Sequence, residues 1–73
     1  MNRIQALRLE KAKLAPSAFS QEALARRLGV SARTVARWEA GESKPRKRHA
    51  RALARELGVD VDDLGLEGGR VED

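Results

Sequence analysis

A chain of 73 residues without cysteine makes one small domain with a thin core, and it excludes both a disulfide framework and a cysteine-based metal site. The formal net charge is +4, unevenly placed: residues 1–59 carry 14 Lys/Arg against five Asp/Glu, and residues 60–73 carry one against six. A basic body with an acidic tail points to a polyanionic partner, excess charge for solubility being the plainer alternative. The run MNRIQALRLEKAKLA holds charges every few residues and no apolar stretch of signal-peptide or membrane length, so the expectation is a cytoplasmic protein that stays off membranes. His49 is the single histidine; alone it is weak ground for metal binding or acid–base catalysis, and an ordinary surface histidine is expected. No enzyme, metal or cofactor constellation is present in the pattern.

In chain order the spacing predicts helices and no strand alternation. Ile4, Leu7, Lys11 and Leu14 share a mostly apolar stripe, which gives a first helix over about 2–13. Ala15–Pro16–Ser17–Ala18 interrupts it, because proline disfavours helix in the residue before it. Ser20 is a good cap for a second helix over 21–28, supported by an i,i+4 pair of Glu22 with Arg26. Ser31 caps a third, from 32 to about 40, which Gly41 closes. Lys44–Pro45 is a loop, and a fourth helix over about 46–57 ends at Gly58. Asp60 with Asp63 resembles a capping box for a short turn near 61–65. Residues 66–73, with Gly68–Gly69 and mixed charges, read as a flexible acidic tail behind a domain of residues 1–65.

The break between the second and third helices is informative. Gly29 can take the left-handed conformation that ends a helix, Val30 tucks the turn against the core, and Ser31 starts the next helix. Helix, short glycine turn, helix is the helix-turn-helix plan; an ordinary αα-hairpin is the alternative. Ala25 is small where the two helices meet, and Leu24, Leu28, Val35 and Trp38 are spaced for a core.

Ser20-Gln21-Glu22-Ala23-Leu24-Ala25, Leu28-Gly29-Val30-Ser31, Thr34-Val35, Arg37-Trp38-Glu39, Gly41 and Pro45 together resemble the lambda-repressor-like helix-turn-helix family. Ile4, Leu7 and Arg8 resemble its first helix, and Leu53-Ala54, Leu57-Gly58-Val59 and Asp63-Leu64 its fourth and fifth. The resemblance covers about residues 2–65 and implies an all-α, five-helix DNA-binding domain with a central helix-turn-helix. One departure stands out: Lys13 to Ala18 look like about six extra residues between the first and second helices.

In this family the third helix enters the major groove. Carried over by position, the resemblance makes Ala32, Arg33 and Arg37 the base-contacting residues, with Ser31 and Thr34 near the backbone. The residue chemistry agrees. Arg33 and Arg37 lie one turn apart with no acid three or four residues away, an arrangement that a nearby polyanion would stabilise. Each guanidinium can grip guanine O6 and N7 together, and Ala32 is short enough for a thymine methyl. Gln21 at a helix start, and Lys44, Arg46, Lys47 and Arg48 before or at the front of the fourth helix, are candidate phosphate contacts. A solvated basic face is the bland alternative, and it weighs most for Arg51 and Arg55.

The resemblance therefore implies a transcriptional regulator, a repressor, that binds double-stranded DNA as a homodimer. An antitoxin-like protein or an adaptor of the same fold is the alternative, with a toxin or the transcription machinery as its protein partner. The acidic tail and residues 13–18 are where such a partner could dock.

Overall fold

Asn2 opens the first helix by accepting a hydrogen bond from the Gln5 backbone N–H at 3.0 Å, and its own amide donates to the Trp38 carbonyl at 2.5 Å. The computed structural model describes residues 2–66 and 71–72, the last two by backbone only. It contains α1 (Arg3–Leu14), α2 (Gln21–Leu28), α3 (Ala32–Glu39) and α4 (Lys47–Leu57), followed by a single 3-10 turn over Val61–Leu64. The fifth helix expected near 61–65 is thus only this turn. Its capping box is present, with the Asp60 N–H donating to the Asp63 carboxylate at 3.2 Å. Lys44–Pro45 (β1) pairs in parallel with Val71–Glu72 (β2), too short a ladder to leave a trace in the sequence pattern. The rest of the expected tail, residues 67–70 and 73, lies outside the described residues.

Each joint follows from local chemistry. Ser20 accepts from the Ala23 N–H at 3.0 Å and Ser31 from the Thr34 N–H at 3.1 Å, so both serines cap as their positions predict. Gly29 has φ +74°, and beyond it the Val30 N–H reaches back to the Ala25 carbonyl at 3.0 Å. This six-to-one closure satisfies a carbonyl that the helix end would otherwise strand. α1 and the following turn take up residues 13–18: the helix continues to Leu14, and the Ala18 and Phe19 N–H groups both donate to the Ala15 carbonyl.

The core gathers Ile4, Leu24, Leu28, Val35, Trp38, Leu53, Leu57 and Leu64, drawn from all four α-helices and the 3-10 turn. α1 departs from its predicted stripe. Ile4 and Arg8 are its buried residues, Leu7 is half-buried, and Leu14 is 88 % exposed. Arg8 is buried because it lies against Glu39, itself 4 % exposed. The Arg8 Nε and Nη2 donate to Glu39 Oε2 and Oε1 at 2.5 and 3.0 Å, while Nη1 donates to the Phe19 carbonyl at 3.1 Å. The fork therefore joins α1, the turn before α2 and the end of α3.

The expected Glu22–Arg26 pair is not formed among the described residues. Arg27 instead pairs with Glu56 of α4 at 2.6 Å and lies 5.1 Å above the Phe19 ring, closing that side of the core.

A Cβ at Gly29 would meet nothing within 4 Å, so backbone conformation alone decides what the position tolerates. Gly29→Asn, which enters the left-handed region with less strain, should melt closer to the parent than Gly29→Val; Val should lose more than ~1 kcal/mol. Equal melting temperatures for the two variants in circular dichroism would contradict a left-handed turn at this point.

Candidate nucleic-acid interface

α3 presents two unlike faces. Val35, Trp38 and Glu39 point into the domain and are buried. Arg33, Ala36, Arg37 and Ala40 follow one another at helical spacing on the opposite side. Arg33 is exposed and has no ion-pair partner among the described residues. Arg37 is half-exposed and lies 3.8 Å from Glu42, five residues on. Counting acids three and four residues away misses this neighbour, because Gly41 turns the chain back over the helix end. A pair this long between exposed side chains contributes little.

Ala32 and Thr34 flank the outward stripe rather than sitting on it, and Ala32 packs against the core. Ala36 is the position that sequence reasoning missed. It lies three residues from Arg33 and beside Arg37, and its short side chain lets the helix backbone approach a surface closely. The i,i+3 spacing carried that signal. Ser31 Oγ and Thr34 Oγ1 lie 3.0 Å apart, so one hydroxyl hydrogen is used between them and the other can reach a phosphate.

The candidate phosphate contacts divide. Gln21 turns inward: its amide donates to Glu39 Oε1 at 3.0 Å, leaving one side-chain N–H and its backbone N–H at the α2 start. The Lys44 Nζ reaches the Leu66 carbonyl at 3.5 Å. Arg46, Lys47 and Arg48 are exposed together at the front of α4, a helix with no side-chain cap and no acid in its first turn. Cations there oppose the helix dipole, and an anion would be favoured by both. The acids Asp60, Asp62 and Asp63 follow the other end of α4 in the chain.

Residues 11–64, about three quarters of the chain, match the model of the helix-turn-helix family. The chain belongs to the lambda-repressor-like helix-turn-helix family. It is a DNA-binding helix-turn-helix protein of all-α fold. The family match begins within α1, so Ile4, Leu7 and Arg8 stand outside it. No curated protein and no solved structure matches the chain. Among the described residues no helix is long and apolar enough to cross a membrane.

His49, expected on the surface, is half-buried behind this front. Its ring lies 5.9 Å from the Trp38 ring, tilted by 41°, and its Nδ1 is buried without a hydrogen-bond partner, as is Trp38 Nε1. Burial, with Arg48 and then Arg46 beside it, holds the imidazole below its ordinary value. Between that lowered value and about 6.5 the unfolded chain binds more protons than the folded one, so stability rises with pH in that window. Lowering the pH from about 7.5 to about 6 should therefore lower the melting temperature of the parent. His49→Phe keeps the ring contact but has no proton to take up, and should flatten that dependence. Identical pH slopes for the two proteins would remove His49 as the cause.

Proposed function

We propose that this helix-turn-helix protein is a sequence-specific transcriptional repressor. α3 lies in the major groove, and Arg33 and Arg37 read base edges, with Ala32 and Ala36 letting the helix sit close. Ser31, Thr34, Arg46, Lys47 and Arg48 hold the flanking phosphates, and Gln21 and Lys44 contribute through the donors their internal bonds leave over. The protein acts as a homodimer on a partly palindromic site, because one domain of this size spans a short half-site. Repression follows from occupying DNA that polymerase needs.

The observation that carries this reading is the position of Arg33. It stands at the surface of a helix whose opposite face is locked into the core by Val35, Trp38 and the buried Glu39. A planar guanidinium on a rigid support is suited to paired acceptors such as guanine O6 and N7. With a site selected from random duplexes, Arg33→Ala should cost ~1–3 kcal/mol on that site and much less on random DNA. Arg33→Lys keeps the charge but loses the fork, so it should bind random DNA as the parent does and discriminate less. Full discrimination by Arg33→Lys would reduce Arg33 to a phosphate anchor.

The front of α4 makes a different prediction. Lys47→Gln with Arg48→Gln should weaken binding to all sequences about equally. It should also flatten the dependence of log K on log salt by about one unit for each phosphate no longer neutralised. An unaltered salt slope would return both residues to a solvated face.

A further inference from the structure

The front of α4 supplies no acid of its own: Arg46 stands at its N-cap without a side-chain cap bond, and its first turn opens with Lys47 and Arg48. An acidic part of the chain is nevertheless brought to it. β2 runs parallel to β1, with Val71 opposite Lys44 and Glu72 opposite Pro45. Paired strands lie about 4.8 Å apart, which sets the Glu72 backbone beside Pro45, one residue before Arg46. Because the pairing is parallel, β2 advances in the same direction as the chain that enters α4. The next residue in sequence after Glu72 is Asp73, a second acid. A separate contact ties β1 to the start of this tail: the Lys44 Nζ donates to the carbonyl of Leu66, which itself packs against the core.

A carboxylate near a helix N-terminus is favoured by the dipole, and here also by the exposed cations Arg46, Lys47 and Arg48. It takes the place that DNA phosphates take in the reading above, and the two cannot both sit there. The hold on the tail is light: the ladder is two residues long, and Pro45 has no N–H to give it. A row of phosphates carries more charge than a pair of carboxylates and can displace them.

We propose that the C-terminal acidic strand is an intramolecular competitor for the DNA-phosphate site at the front of α4. It occupies that front in the free chain and leaves it when a duplex binds, so the tail lowers affinity for all sequences alike. The inference rests on the phosphate contacts proposed above for Arg46, Lys47 and Arg48, and names what regulates them.

Nuclear magnetic resonance of the full chain, with and without a random duplex, tests the docking. Proton contacts between Lys44–Pro45 and Val71–Glu72 should be present in the free chain and lost when duplex is added. Binding by fluorescence anisotropy tests the competition. Glu72→Gln with Asp73→Asn should tighten binding to any duplex about threefold or more at low salt, an advantage that shrinks as salt rises. Glu10→Gln with Asp62→Asn removes the same charge elsewhere and should change affinity less. Glu10 lines the groove at the far end of α4, and Asp62 lies in the turn that follows that end. Proton contacts missing from the free chain, or persisting on bound DNA, would overturn the proposal. So would equal tightening by the two pairs, which would make net charge the whole effect. If Lys47→Gln with Arg48→Gln leaves DNA binding untouched, the phosphate reading itself fails. If that pair weakens binding while Glu72→Gln with Asp73→Asn does nothing, only the competitor falls.

Discussion

The buried fork between Arg8 and Glu39 is the constraint on which the rest of the structure turns. Two ions taken out of water cost several kcal/mol each, and only close, multiple hydrogen bonds offset that cost. Here Glu39 receives three donors, from two Arg8 nitrogens and from Gln21, and the remaining Arg8 nitrogen is satisfied by the Phe19 carbonyl. Removing either partner would strand the other, a loss of about 3–5 kcal/mol. A domain of this size has a total stability of that same order. The pair therefore functions less as an added stabiliser than as a condition of the fold. It also fixes geometry: Glu39 ends α3 on its buried face, so holding it sets the rotation of that helix and hence where Arg33 points.

What could be read from the sequence, and what could not, divides by distance along the chain. Ser20, Ser31, Gly29, Gly58 and the Asp60–Asp63 box act within a few residues of themselves, and each sits where local pattern placed it. Trp38 in the core follows from helical spacing. The partners of Arg8, Arg27 and Lys44 lie 31, 29 and 22 residues away, and no local rule announces them. Gln21 shows the same limit at the candidate interface. Its position at a helix start suggested an outward grip on phosphate, but the acceptor that claims its amide is a carboxylate 18 residues on and buried. The outward face of α3 was legible because its two faces differ so sharply in polarity; Ala36 escaped because a small apolar residue looks alike on either face.

The segment before α2 shows how a long link between two helices is accommodated without disturbing a core. Part of it lengthens α1, and the remainder closes on the Ala15 carbonyl so that Phe19 returns to the core under Arg27. The link closes without leaving the core, but the last turn of α1 exposes Leu14. The apolar stripe of α1 was thus legible as a stripe, while the body it packs against was not. Its first turn meets the core of this domain, and its last turn ends in an exposed leucine.

The distribution of charge supplies the last link between fold and function. Arg33 and Arg37 one turn apart disfavour their helix by ~0.2–0.5 kcal/mol, and each cation at the front of α4 works against a helix dipole worth ~0.3–1 kcal/mol. Glu42 lies 3.8 Å from Arg37, and the acids Asp60, Asp62 and Asp63 follow the other end of α4 in the chain. Against a thin core these penalties are not negligible, and core packing alone gives no reason to carry them. A row of phosphates against these residues, as proposed, would reverse the sign of each one at once. Binding then stabilises the folded state as well as the complex, since a ligand that binds only the native chain shifts folding by mass action. In the proposed complex, the same residues that weaken the free domain become the ones that hold it together.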